Sequence, residues 1–190
     1  YTYNSRHSLT KVTFPDSSYE EYGYDSVGNR TSKRTQKAEL IAYEYDNRNR
    51  LTKIDYPSGT DTTFSYDDKG QRTQMADALG TTSYTWDAAG RLTSVSDPFG
   101  KTISYSYDGN ANMTGFTDQF AGTVSLSYDS MNRVSTLTDR NNNQASYTYN
   151  NDGLMTRLNL PNGAYTTQSY NNRDFTTEVA HRKPDDSVLD

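Results

Sequence analysis

Rings recur along this chain in pairs two residues apart with a small polar residue between them, as in Tyr105-Ser106-Tyr107. A period of two is that of a β-strand, so each pair predicts a strand with both rings on one face. Aligning on an aromatic followed by Asp or Asn gives nine copies: Tyr3-Asn4, Tyr24-Asp25, Tyr45-Asp46, Tyr66-Asp67, Trp86-Asp87, Tyr107-Asp108, Tyr128-Asp129, Tyr149-Asn150 and Tyr170-Asn171. Seven of the intervals are 21 residues and one, from Tyr66 to Trp86, is 20. Two residues before the motif another ring stands in seven copies, with Leu126 and Gln168 as the exceptions. Six residues after the Asp or Asn comes Thr or Ser in every copy, and eight residues after it an apolar side chain in all but one, where Lys33 stands.

Each period reads as a β-hairpin. The Asp begins a turn, because its carboxylate can accept from a backbone N–H two residues on. Three residues later Gly28, Gly70, Gly90 and Gly153 can take the positive φ that ends such a turn, and Asn49 and Asn132 tolerate it. Ala111, Asp174 and His7 suit that slot less well. A second strand follows, such as Arg91-Leu92-Thr93-Ser94-Val95, and a second turn closes the unit at Tyr56-Pro57-Ser58-Gly59, Asp97-Pro98-Phe99-Gly100 and Leu160-Pro161-Asn162-Gly163. No helix is expected; Gln36 to Tyr43 is the best candidate. A lone hairpin is unstable in water, so neighbouring hairpins must pair edge to edge. The fold class expected is all-β: tandem hairpin repeats of about 21 residues in a continuous, coiled antiparallel ribbon, occupying 1–180. A charged tail, 181–190, leads into a further repeat. The structural residues are Tyr24, Asp25, Gly28, Tyr45, Asp46, Tyr66, Asp67, Gly70, Trp86, Asp87, Gly90, Tyr107, Asp108, Tyr128, Asp129, Tyr149, Asn150 and Gly153.

Composition changes this picture in one respect. Leu, Ile, Val and Phe together number 27 of 190 residues, below the level at which a packed aliphatic core is expected, yet 17 Tyr supply ring area that this count misses. A sheet with two broad faces and no sealed interior suits such a chain, with rings packing on neighbours and hydroxyls left wet. The net charge of −5 and the absence of a basic stripe argue against nucleic acid. No apolar run is long enough to span a membrane. With no Cys, disulfides, thiolate zinc sites and cysteine nucleophiles are excluded. The chain opens on a motif and is read as a segment of something longer.

The units Tyr84-Thr85-Trp86-Asp87-Ala88-Ala89-Gly90-Arg91-Leu92-Thr93 and Tyr43-Glu44-Tyr45-Asp46-Asn47-Arg48-Asn49-Arg50-Leu51-Thr52 resemble the YD repeats of bacterial Rhs proteins. Similar repeats occur in Tc toxin cocoon subunits, wall-associated toxins and the teneurin shell. The resemblance implies a hairpin ribbon wound into a hollow shell that encloses a toxic C-terminal domain. The parent protein would be secreted or cell-surface, and in bacteria delivered by a type VI or related route. Its implied partners are the remaining repeats of the same shell and the enclosed toxin, with edge-to-edge self-association where terminal strands are uncovered. Asp97-Pro98-Phe99-Gly100 is superficially similar to the family's self-cleavage signature but is followed by Lys101, and it reads as an ordinary turn.

No enzyme chemistry is expected. The regular carboxylates sit in turns, so they read as structural and not as a glycosidase pair. His7 and His181 lie at opposite ends without a metal or triad pattern. Asn150-Asn151-Asp152-Gly153 lacks the EF-hand spacing. No cofactor or metal is expected. The alternative is a carbohydrate-binding or adhesion module in which exposed rings stack on sugars; a disordered, tyrosine-rich chain is the third reading.

Overall fold

A computed structural model describes residues 1–188. The chain forms two compact units, Tyr1–Lys101 and Thr102–Asp190, and is all-β, with no helix among the described residues. The first unit holds β1 (Thr2–Tyr3), β2 (Leu9–Thr13), β3 (Tyr19–Tyr24), β4 (Arg30–Arg34), β5 (Leu40–Tyr45), β6 (Leu51–Asp55), β7 (Thr62–Tyr66), β8 (Arg72–Asp77), β9 (Gly80–Trp86) and β10 (Leu92–Ser96). The second holds β11 (Thr102–Tyr107), β12 (Met113–Thr117), β13 (Thr123–Tyr128), β14 (Val134–Thr138), β15 (Gln144–Tyr149), β16 (Met155–Asn159), β17 (Tyr165–Tyr170) and β18 (Thr176–Arg182). Within each unit every strand pairs antiparallel with the next in the chain.

Strand reversals coincide with the period. At each motif the backbone closes a three-residue loop: in the third repeat Asp46 N donates to Arg50 O at 2.9 Å and Asn49 N to Asp46 O at 3.0 Å. This is a type I turn followed by a left-handed residue, a common three-residue hairpin connection. All nine motif turns take the positive φ three residues after the Asp or Asn, including the three with unfavourable residues: His7 at 61°, Ala111 at 69° and Asp174 at 62°. Closing the hairpin overrides the local preference of those side chains. Most second turns use the same geometry, with positive φ at Ser17, Ala38, Ala121 and Asn142 among others, while after β6 the Tyr56 N–H donates instead to Asp61 Oδ1 at 3.2 Å. The single 20-residue interval has a local cause. Asp77 pairs directly with Gly80 across a two-residue loop, Ala78-Leu79, whereas Asp97 and Lys101 flank three loop residues.

Pairing sorts the side chains onto two faces. On one, rings meet the apolar residue eight after the Asp: Tyr43 opposes Ile54, Phe64 Met75, Tyr84 Val95, Tyr105 Phe116 and Tyr147 Leu158. On the other face lie Ser, Thr and charged residues. There is no sealed core: Ala164 is the one buried hydrophobic residue among those described, and no large side chain is fully buried. Gln36–Tyr43 forms a turn and the start of β5.

The expected boundary at 180 falls inside β18, which stays paired through Thr166↔His181 and Tyr165↔Arg182. The first residues of the expected tail are therefore strand, held by the ladder to β17. Lys183 to Ser187 then form another hairpin turn, and Val188 bridges back to Arg182. Leu189 and Asp190, the last of the tail, lie outside the described residues.

Candidate functional site: the turn edge and the ring face

The Asp of each motif fixes its turn from within. Asp46 Oδ1 accepts from Arg48 N at 2.9 Å and Arg50 N at 3.0 Å, and Asp129 Oδ1 accepts from Met131 N at 2.8 Å and Arg133 N at 3.0 Å. Asp25 Oδ1 accepts from Val27, Gly28 and Asn29 N–H, Asp67 Oδ1 from Gln71, and Asp108 Oδ1 from Asn110 and Asn112. Asn150 does the same with a carboxamide oxygen, towards Asp152 and Leu154. These donors stabilise the ionised carboxylate. The Arg91 N–H, followed by the Arg91 guanidinium, holds Asp87 below the usual carboxylate range. For Asp46 and Asp129 the Arg50 and Arg133 N–H groups do so, against a smaller opposing effect of burial.

The residue four after the Asp links one repeat to the next. Arg50 Nε donates to Asp46 Oδ2 at 2.7 Å while its Nη1 donates to Asp67 O at 3.1 Å, and its guanidinium lies 4.6 Å from the Tyr66 ring centre. Arg133 repeats the arrangement with Asp129, Asn150 O and the Tyr149 ring at 4.5 Å, and Arg91 pairs with Asp87 at 2.7 Å. Where Asn fills the slot the reach is shorter. Asn29 Nδ2 donates to Asp25 Oδ2 and to Asn49 Oδ1, both at 2.9 Å, and Asn112 Nδ2 donates to Asp108 Oδ2 and to Asn132 Oδ1, also at 2.9 Å. A second clasp comes from two residues after the Asp: Arg48 Nη1 donates to Asp68 O at 2.6 Å, Lys69 Nζ to Ala88 O at 2.9 Å, and Arg6 Nη1 to Ser26 O.

The motif tyrosines act across repeats as well. Tyr24 Oη donates to Leu9 O, Tyr45 to Arg30 O, Tyr66 to Leu51 O, Tyr128 to Met113 O, Tyr149 to Val134 O and Tyr170 to Met155 O, at 2.8 to 3.0 Å, always 15 residues back. Trp86 Nε1 donates to Arg72 O at 3.0 Å from the same place. The acceptor lies beyond the last ladder pair between hairpins, as with Leu51, where β6 pairs with β7 only at Lys53 and Ile54. The hydroxyl thus satisfies a strand carbonyl where the ladder stops. This corrects the expectation that it remains in water: the hydroxyl reaches across to the adjacent preceding strand and finds a carbonyl there at hydrogen-bonding distance. Burial raises the pKa of Tyr45 and Tyr149. Tyr107 sits in register opposite Met113 in the same way as the other motif rings.

Lys33, the one departure from the apolar slot, is accommodated by a neighbour. It lies opposite Tyr22, and its ammonium is 3.0 Å from Glu20. Tyr22 also donates to Glu20 at 2.6 Å, which pushes its hydroxyl up to about 12. The linking residues were missed in the sequence, although Arg, Asn or Gln fills the slot four after the Asp in six of nine copies: Asn29, Arg50, Gln71, Arg91, Asn112 and Arg133. His181 Nδ1 lies 2.9 Å from Thr166 Oγ1 on neighbouring strands. No cluster of metal-ligating side chains occurs among the described residues, and no helix is long and apolar enough to cross a membrane.

Solved structures similar to this arrangement include the crystal structure of TcdB2-TccC3-TEV, with a TM-score of 0.72 at 16% identity over 95% of this chain and 11% of that one. The crystal structure of TcdB2-TccC3-Cdc42 gives 0.71 at 16% over 95% and 11%, and that of TcdB2-TccC3 without its hypervariable C-terminal region gives 0.62 at 14% over 86% and 10%. These likenesses show a shared fold, and the chain spans about a tenth of the length of those chains. No curated protein matches it. The RHS repeat model matches residues 45–82, and the teneurin YD-shell model matches residues 71–179. The second match takes in more than half of the sequence and five of the clasped motifs described above, so the chain belongs to the YD-shell family.

Proposed function

We propose that this chain is a stretch of wall in an enclosing shell, part of a secreted or cell-surface parent that carries a toxic C-terminal domain. The wall does no chemistry itself. The observation that carries this reading is the direction of the side-chain bonds: the motif hydroxyl and the linking Arg or Asn of one repeat are directed to an adjacent repeat. A chain organised in this way gains stability by extending a sheet, not by closing a core. The motif carboxylates are structural on this reading, because their oxygens are occupied by turn N–H groups. The edge of β18 is where a following repeat, or a second chain, adds its strand.

The carbohydrate-binding alternative needs open ring faces. Several are instead covered by cations, among them Tyr66 by Arg50, Tyr84 by Arg72 and Tyr149 by Arg133. Electron microscopy of the parent protein, combined with limited proteolysis, tests the shell. Enclosure predicts a hollow particle with internal density and a C-terminal domain that resists protease until the wall is unfolded. A solid or rod-like particle, or a C-terminal domain digested at once, would overturn it.

A further inference from the structure

The slot five residues after the Asp lies on the ring face, opposite the ring of its own hairpin, as in Tyr45↔Leu51, Tyr66↔Arg72 and Tyr149↔Met155. In six repeats it holds Leu, Met or Val. Two repeats, both in the first unit, place Arg30 and Arg72 there instead. Five cations of this unit are neutralised by carboxylates: Lys33 by Glu20, Lys11 by Glu21, Lys53 by Asp61, Arg50 by Asp46 and Arg91 by Asp87. Among the described residues, by contrast, the Arg72 side chain makes neither an ion pair nor a hydrogen bond. Its guanidinium lies 4.4 Å from the Tyr84 ring centre and 5.9 Å from that of Phe64. The Trp86 indole is tied to the Arg72 carbonyl at 3.0 Å. Tyr66, Arg72, Tyr84, Trp86 and Leu92 together line an open depression of about 530 Å³.

A guanidinium resting on a ring keeps its planar donor fork, and a fork without a protein acceptor is suited to a bidentate anion. We propose that this depression docks a carboxylate of an extended, acidic polypeptide segment. Two of the three rings that line the depression are already covered by cations, Tyr84 by Arg72 and Tyr66 by Arg50, which favours a peptide carboxylate over an acidic polysaccharide. Arg30 repeats the arrangement over Tyr43 at 4.5 Å, giving the same face a second contact for an acidic chain. This inference rests on the shell reading only for the source of the segment, which would be the enclosed domain.

Trp86 is the chain's one tryptophan, so its fluorescence reports on the depression directly. The chain is titrated with a capped hexaglutamate peptide, and with hexaglutamine as control. The expected result is a saturable change with the acidic peptide alone, weakened by salt. Arg72→Leu places in the slot the residue found at Leu9, Leu51 and Leu92, and should weaken binding about tenfold or more with an unchanged circular dichroism spectrum. Arg72→Lys keeps the charge without the fork and should fall between; it decides the matter if the Leu variant loses its β signal. Equal binding by the variants, equal binding of hexaglutamine, no response up to millimolar peptide, or a response to polygalacturonate fragments but not to the peptide would each overturn the proposal. None of these outcomes would alter the imaging test of the shell.

Discussion

On the polar face of Tyr1–Lys101, lysines meet carboxylates: Lys11 lies 3.4 Å from Glu21, and Lys53 lies 2.8 Å from Asp61. On the same face of Thr102–Val188 no lysine meets a carboxylate among the described residues, and the hydroxyl pairs that both units carry stand alone: Thr114 donates to Ser106 at 3.0 Å and Thr148 and Thr156 lie 3.3 Å apart, as Thr2 and Thr10 lie 3.1 Å apart and Thr85 and Thr93 2.9 Å in the first unit. Both units nevertheless share the Asx turns, the linking arginines and the ring-to-carbonyl bonds. The difference teaches that the polar face is free to vary, while register is held by the turn edge and the hydroxyl reach of the motif rings.

The largest effect should come from a pair of glycines on that face. A Cβ at Gly115 would meet the Val124 carbonyl oxygen at 2.5 Å, and that carbonyl belongs to the ladder between β12 and β13. Gly115→Ala should therefore cost about 1–3 kcal/mol and raise amide exchange in β12 and β13. A Cβ at Gly23 meets Ser32 Oγ at 2.4 Å, but a hydroxyl can rotate away. Gly23→Ala should be neutral to mildly stabilising, since glycine in a strand carries an entropic cost. Equal losses at the two sites would show that the faces are not independent of the framework.

Next come the features that the units share. Tyr66→Phe in the first and Tyr149→Phe in the second should each cost about 1 kcal/mol in urea unfolding, because each leaves a strand carbonyl without its donor. A large difference between the two would mean that the framework itself differs.

Acid should separate hairpins by the chemistry of their turn anchor. The folded pKa values of Asp46 and Asp87 lie below the ordinary 3.8, so the unfolded chain binds those protons more tightly. Their contribution is complete above about pH 4 and is lost as pH falls through the folded values. The turn anchored by Asn150 has no proton to gain at that oxygen. Hydrogen exchange followed from pH 5 to 2.5 and corrected for intrinsic rates should show β5–β6 opening before β15–β16. The smallest effect is that of salt: 1 M NaCl should slightly loosen β2–β3 and β6–β7, whose lysine pairs are partly exposed, and leave β15–β16, whose turn is anchored by the uncharged Asn150, unchanged.

Much of the fold was legible because a hairpin repeat writes its constraints at fixed offsets: a ring pair for the strand, Asp for the turn, Gly or Asn for positive φ. The linking slot was harder to read. Arg50 and Asn29 share no single property until two neighbouring turns are brought side by side, when each proves able to donate across the gap.

By itself the sequence determined the period, the all-β class and the motif turns, since these depend on side chains acting within a few residues of their own backbone. Tertiary structure decided the rest: that His7, Ala111 and Asp174 adopt a left-handed backbone, that a missing residue is absorbed at Ala78-Leu79, and that six motif tyrosine hydroxyls find a carbonyl 15 residues back. Those outcomes depend on which strands lie side by side, and that adjacency exists only once one hairpin has paired with the next.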